Sequence, residues 1–164
     1  MKESLLRTDK DIKDVYEKYA AMIYKICFLY MKNKADTEDL VQSTFIKMIE
    51  NREKFEDLNR LKAWLIITAS NLCRNSLKSW WRRNVDIDTI PETEDINYCR
   101  TDETLNQILA LPDKYKTVVY LYYYEGYSCR EISEMMKIND STLRSQLRTG
   151  RKLLKLILEA ENDE

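Results

Sequence analysis

Two small helical bundles, all-α throughout, are what this sequence predicts, and three observations predict it. Apolar residues recur at spacings of three and four through most of the chain, as helices with one buried stripe require. Only two Gly and two Pro interrupt 164 residues, so few turns are obligatory. The periodicity lapses once, over an acidic stretch that begins at Asn84. That lapse divides the pattern into residues 1–83, a linker at 84–101, and residues 102–164.

The first helix carries Ile12, Val15, Tyr16, Tyr19, Ile23, Ile26, Cys27 and Tyr30 on one stripe. Asp36 or Thr37 can cap a second helix, with Leu40, Val41, Phe45, Met48 and Ile49 facing inward. Phe55 to Arg60 is polar and aperiodic and reads as a loop. A third helix runs from about Leu61 to Trp81, with Leu61, Trp64, Leu65, Leu72 and Leu77 as its apolar members. Antiparallel packing would bury these stripes in a bundle. The segment from Asn84 to Thr101 holds Pro91 and five acids and reads as an extended, flexible tether, with a short strand on the Val85, Ile87, Ile90 alternation as the lesser alternative. Helical pattern resumes at Asp102 with Leu105, Ile108, Leu109 and Leu111. It stops at Pro112, which can start the next helix, carrying Val118, Val119, Leu121 and Tyr122.

Composition removes several function classes. The chain has no histidine, and its four cysteines (Cys27, Cys73, Cys99, Cys129) include no Cys-x-x-Cys pair. Zinc sites and histidine acid–base chemistry lose their usual groups, so no cofactor is expected and the thiols read as reduced residues on helices. Asp36, Glu38 and Asp39 might suggest metal ligands, but on one helical turn they point to different sides, and no Gly-rich phosphate loop accompanies them. No apolar run approaches the roughly 18 residues of a membrane span. Met1 to Lys13 lacks the apolar core of a signal peptide. The expectation is a cytoplasmic protein with no direct membrane insertion.

The net charge of −1 conceals a segregation. Residues 1–83 carry 17 basic and 12 acidic side chains, the linker one and five, and residues 102–164 nine and eleven. Within the last part, 137–155 holds six basic residues and one acid. Concentrated positive charge is what phosphate binding needs.

The richest local pattern is EGYSCREISEMMKINDSTLRSQLRTGRKLLKLIL. Gly126 can end one helix in a left-handed conformation. Ser128 and Glu131 form a capping box for the next, whose apolar face is Ile132, Met135 and Met136. After Lys137-Ile138-Asn139, Asp140 or Ser141 can cap a final helix, completing helix-turn-helix spacing. At about 100° per residue, Leu143, Leu147, Gly150, Leu154 and Ile157 share one side of that helix. Ser141, Arg144, Ser145, Arg148, Lys152 and Lys155 lie broadly opposite. Arginine can donate two hydrogen bonds to a guanine edge, and serine can contact base or phosphate.

With these residues on the page, the chain resembles the extracytoplasmic-function sigma factors of bacterial RNA polymerase. DTEDLVQSTFIKMIE (Asp36–Glu50) resembles the polymerase-docking helix of sigma region 2, and KAWLIITASNLCRNSLK (Lys62–Lys78) resembles the region 2 helix that faces the −10 element. LPDKYKTVVYLYYYEGYSCREISEMM followed by STLRSQLRTGRKLL resembles region 4, which reads the −35 element. The resemblance implies a transcription initiation factor with core RNA polymerase and promoter DNA as partners, and in many relatives an anti-sigma factor. It implies polymerase contacts at Asp36, Glu38, Asp39, Leu40 and Gln42. It implies −10 contacts at Asp57, Leu58, Asn59 and Arg60, where relatives capture an unstacked base, and at Asn71, Arg74, Asn75, Lys78, Arg82 and Arg83. It implies −35 contacts at Ser128, Ser141, Thr142, Arg144, Ser145, Arg148 and Lys152.

The chain departs from the family pattern at several positions. Many relatives have an aromatic at Leu61, arginines at Ser70 and Gln146, and alanine at Gly150. Trp64 reads as core, whereas Trp80 and Trp81 fit either packing or stacking. The residues alone also fit a helix-turn-helix regulator whose N-terminal bundle binds a partner or dimerises. An enzyme would need a carboxylate site that the pattern does not supply.

Overall fold

A computed structural model describes residues 3–83 and 103–162, and every regular element among them is helical. The elements are α1 (Asp9–Met31), α2 (Lys34–Glu50), a 3-10 turn at Arg52–Lys54, and α3 (Leu58–Arg83). They continue with α4 (Glu103–Leu109), α5 (Asp113–Val119), a π-helical turn at Tyr120–Tyr124, α6 (Cys129–Met136) and α7 (Asp140–Asn162). The chain divides into two compact units, Met1–Glu94 and Asp95–Glu164. The tether expected at 84–101 lies outside the described residues.

In the first unit α1, α2 and α3 each pack on the other two. Thr8 and Asp11 cap α1 reciprocally: Thr8 Oγ1 accepts from the Asp11 N–H at 3.1 Å, and the Asp11 carboxylate accepts from the Thr8 N–H at 3.0 Å. Those bonds favour the ionised form, so the Asp11 carboxyl lies below its ordinary range. The second half of α1 is buried all round, from Ile26 through Tyr30. Periodicity therefore identified Ile26, Cys27 and Tyr30 and passed over Phe28 and Leu29. Tyr16, expected inside, is 45% exposed at the rim, with its ring edge-on to Phe45.

Both expected caps of α2 are corrected. Asn33 is the cap, accepting from the Asp36 N–H at 2.8 Å, so Asp36 and Thr37 already stand inside the first turn. Asparagine serves as well as aspartate at this position, and it comes three residues earlier. Val41, Phe45 and Met48 are buried as expected, but Ile49 is exposed and Leu40 only half-buried.

The loop expected at Phe55–Arg60 is shorter. Asp57 caps α3: its carboxylate accepts from the Asn59 N–H at 2.9 Å and its carbonyl from the Leu61 N–H at 3.0 Å. Leu58, Asn59 and Arg60 are thus the first turn of α3. Phe55, inside the "polar" segment, is buried against Trp64. The N-terminal strand of chain joins it there, for Leu5 N–H donates to Phe55 O at 2.6 Å and Arg52 Nε donates to Leu6 O at 3.1 Å. Leu6 is fully buried as a result.

In the second unit, Pro112 precedes α5 and Gly126 has the positive φ of 79° expected of it. Between them the chain widens into the π turn, where the Glu125 N–H donates to Tyr120 O at 3.1 Å. Tyr120 is fully buried and donates its phenol proton to Glu125 Oε1 at 2.5 Å. Burial, followed by that bond to a carboxylate, raises the phenol far above its ordinary value. Lys116 is buried too and paired with Asp113 at 2.8 Å. Only half of the capping box on α6 forms, the Ser128 hydroxyl accepting from the Glu131 N–H at 3.1 Å. Asn139, rather than Asp140 or Ser141, occupies the cap position of α7, its carbonyl accepting from the Leu143 N–H at 2.9 Å.

Gly150 sits where α7 crosses α5. A methyl group on it would stand 2.7 Å from Val119 Cγ2 and 3.6 Å from Tyr115 Cβ. Glycine costs a helix interior about 0.5–1 kcal/mol relative to alanine, whereas overpacking a core costs about 1–3 kcal/mol. The second effect wins at this contact. Gly150→Ala should therefore lower the stability of the second unit by about 0.5–2 kcal/mol in urea unfolding followed by circular dichroism. In a Val119→Ala background, where the crowding methyl is gone, the same substitution should be neutral or stabilising. Additive effects of the two changes would place the strain elsewhere.

Candidate nucleic-acid interface

α3 is the strongest electrostatic feature of the first unit. Its 26 residues include Arg60, Lys62, Arg74, Lys78, Arg82 and Arg83 and not one carboxylate. Leu61, Leu65, Ile66, Ala69 and Cys73 are buried against the bundle. At about 100° per residue, Asn71, Arg74, Asn75, Lys78 and Arg82 share an arc of about 100° on the outer side. All five reach solvent, Arg74 only partly. The structure therefore brings half of the expected −10 residues onto one face. Arg83 lies in the last turn of α3. Ser70 is buried, so the position where relatives hold an arginine belongs here to the packed side.

Asp57, Leu58, Asn59 and Arg60 stand together at the N-terminus of the same helix, all exposed. Asp57 spends one carboxylate oxygen on the cap. Leu58 remains 40% exposed, an apolar side chain free to cover a base or sugar.

α2 presents a different surface. Asp36 accepts from Asn33 Nδ2 at 2.9 Å, and Glu38 pairs loosely with Lys34 at 3.9 Å. No cation among the described residues pairs with Asp39. Asp39 and Gln42 fall on an arc of about 80° with Ile46 and Ile49, and both isoleucines are exposed. Leu40 lies at the edge of the core instead. The expected set thus splits: Asp39 and Gln42 share an open acidic and apolar face, while Asp36 and Glu38 have local partners. Sequence reading missed Ile46 and placed Ile49 inside. The available signal was angular, because neither residue falls in line with Val41, Phe45 and Met48.

In the second unit α6 and α7 pack through Ile132, Leu143 and Leu147, all buried. Their turn is locked by Lys137 in the left-handed region at φ 54° and by the Ser133 hydroxyl donating to Ile138 O at 2.6 Å. Ser141, Thr142, Arg144, Ser145, Arg148, Lys152 and Lys155 are all exposed. Gly150, at the α5 crossing, lies about 160° around the helix from Arg148 and Lys152. Arg144 pairs with Asp140 at 2.9 Å, a contact between exposed groups that is easily exchanged for a phosphate or base. Ser128 is exposed but engaged as the α6 cap.

Among the described residues no helix is long and apolar enough to cross a membrane, and no group of His, Cys, Asp and Glu could hold a metal. Cys27, Cys73 and Cys129 are reduced thiols, the first two buried.

Family models match in two places: Sigma-70 region 2 over residues 15–83, and Sigma-70, region 4 over residues 101–154. The ECF RNA polymerase sigma factor SigW of Bacillus subtilis is 26% identical, across 87% of this chain and 86% of that protein. SigL of Mycobacterium tuberculosis, also an ECF RNA polymerase sigma factor, is 27% identical across 90% and 89%. Among solved structures, the sigma factor RpoE of Bartonella quintana, in complex with the anti-sigma factor NepR, has a TM-score of 0.72 at 19% identity. It covers 92% of this chain and 98% of its own. CnrH, in complex with the cytosolic domain of CnrY, has a TM-score of 0.66 at 16% identity, covering 94% and 91%. Two matched regions in the family's order, each folded around a basic helix face, establish that this chain belongs to the sigma-70 family, in its extracytoplasmic-function group.

Proposed function

We propose that this promoter-directing transcription factor docks on core RNA polymerase through α2, contacts the −10 element through α3, and reads the −35 element through α6 and α7. The observation that carries the reading is the division of the surface: each unit has a basic helix face, and the first also has an open acidic and apolar one on α2. Phosphate contacts by Arg74, Lys78, Arg82 and Arg83 hold the DNA in register, while α7 reads base edges. Asp57, Leu58, Asn59 and Arg60 receive the unstacked base. In the second unit the N-terminal part of the recognition helix, Ser141 to Arg148, meets bases, and Lys152 meets backbone. Ser128 contributes from the cap of α6.

The same proposal divides the chain at 1–83 and 102–164 with a tether between them, which the limits of the two family matches support. It places the protein in the cytoplasm with the transcription machinery. An anti-sigma factor is a fitting third partner, since a fold neighbour is held in such a complex. A regulator whose first bundle only dimerises is the competing reading, and a stoichiometric complex with core polymerase separates the two.

Asp39→Arg reverses charge on the open face of α2 and leaves the core untouched. Like charges across an interface cost several kcal/mol, so core polymerase affinity should fall at least tenfold while circular dichroism stays unchanged. Unaltered affinity would place the docking surface elsewhere.

On α7, Arg148→Ala or Arg144→Ala should cost about 1–3 kcal/mol on the preferred −35 sequence and relax preference at one position. Lys155→Ala should weaken all sequences alike and lower the salt dependence by about one counterion. Competition of the reconstituted holoenzyme against promoters randomised at −35, at two salt concentrations, measures both. Uniform losses in both arginine variants would make this face an electrostatic anchor, with sequence read through DNA shape.

A further inference from the structure

Trp80 and Trp81 end α3 with their rings edge to face, centroids 4.9 Å apart. Their environments differ. At about 100° per residue, Trp80 lies within about 20° of Ala69 and Cys73, both buried, and is itself half-buried. Trp81 lies within about 20° of Arg74 and about 60° of Lys78, and it is 66% exposed, more than any other large apolar side chain described. One tryptophan is thus turned toward the core and packs edge to face on the next, most of whose surface stays open on the side of the helix that carries Arg74 and Lys78.

An indole presents about 150–250 Å² of surface, and leaving most of it in water is unfavourable unless a partner covers it. The surroundings select the partner. No carboxylate occurs anywhere on α3, so a polyanion is attracted along its whole length. A flat aromatic ring set among such cations is the arrangement that holds unpaired bases by stacking while cations hold the backbone. In closed duplex the base faces are already covered by their neighbours, and an indole there could meet only groove edges.

We infer that Trp81 is a base-stacking residue, taking an unstacked base of promoter DNA whose phosphates are held by Arg74, Lys78 and Arg82. The inference rests on the reading of α3 as the −10 face and adds a contact at its C-terminal end. Stacking of this kind tolerates any base, so Trp81 contributes to holding open strands and not to choosing a sequence.

The test uses holoenzyme reconstituted from core polymerase and the full chain, with a promoter fragment selected by that holoenzyme from randomised DNA. The fragment is made once as closed duplex, bound at low temperature, and once as a fork with the −10 non-template strand unpaired. Trp81→Ala should bind the fork about tenfold more weakly, within the range for loss of one base–aromatic stack. Trp81→Phe, which keeps a ring, should stay within about threefold of wild type. Closed-duplex binding, core affinity and the salt slope should be unchanged by either, whereas Lys78→Ala should lower the slope by about one counterion. Fork binding by Trp81→Ala within twofold of wild type would overturn the inference. So would equal losses on fork and closed duplex, which indicate a groove contact, or a loss of core affinity, which indicates a protein contact. Failure of the underlying reading has its own signature: wild type does not bind the fork, or Lys78→Ala leaves the slope unaltered.

Discussion

Where α7 crosses α5, Gly150 leaves room for Val119 and Tyr115 to lie directly on the helix backbone. The arrangement of the second unit follows from that contact. It fixes the rotation of α7 about its axis, because the side carrying Gly150 can face nowhere else. Leu143 and Leu147 then meet the buried Ile132 of α6, and Arg148 and Lys152 are turned outward. A bulkier residue at this crossing would push α7 away or roll it. Either change moves the side chains proposed to read bases relative to the α6–α7 turn, and a shift of about 1 Å is enough to spoil a bidentate contact. Packing and recognition are therefore one constraint on this helix.

The first unit meets the same constraint with a different division of labour. α3 must bury one side against both α1 and α2 and keep the other free of carboxylates. Its buried polar residue, Ser70, and those of α2, Thr37 and Thr44, stand where bulkier or charged groups would disturb the core. The threonines satisfy themselves locally, donating to Asn33 O at 2.6 Å and Leu40 O at 2.7 Å. Buried hydroxyls bonded within their own helix add no demand on neighbouring helices. The interior of α3 thus takes no charge among the described side chains, and Arg60, Lys62, Arg74, Lys78 and Arg82 all reach the surface.

Much of this was legible in the sequence because helices announce themselves by period. The outward set on α7 follows from angle alone, Leu61 and Leu65 on α3 follow from their spacing, and the left-handed Gly126 follows from its residue type. Trp64, Leu72 and Leu77, by contrast, are only half-buried, and Ile66, Ala69 and Cys73 take the core positions expected of those three. Other features were not legible, for separate physical reasons. Asn33, Asp57 and Asn139 are caps that compete with other cap-forming residues within three positions, and propensity does not choose between neighbours. Leu6 is buried where Arg52 bonds its carbonyl and Phe55 bonds the neighbouring Leu5, more than forty residues away, which no local window contains. Lys116 is hidden despite its charge because Asp113, one turn earlier, pairs with it. Ile46 and Ile49 broke the expectation in the informative direction. A helix that exposes two isoleucines beside Asp39, with which no cation among the described residues pairs, spends stability on a surface, and such surfaces exist to be covered.

Charge completes the argument. A chain of net charge −1 gains nothing from long-range attraction to DNA as a whole, yet it keeps α3 free of acids and concentrates cations between residues 137 and 155. Local fields of this kind act within about a Debye length, roughly 8 Å at physiological salt. They strengthen a contact once polymerase has brought the promoter close, but they do not draw the free protein onto DNA from a distance. Near-neutrality overall then limits non-specific binding by the chain alone, which would otherwise compete with its delivery to polymerase. In the proposed reading the acidic and apolar face of α2 supplies the complementary preference for a basic protein surface. The order of events that this distribution favours is docking first and promoter contact second, with each step using a face the other leaves alone.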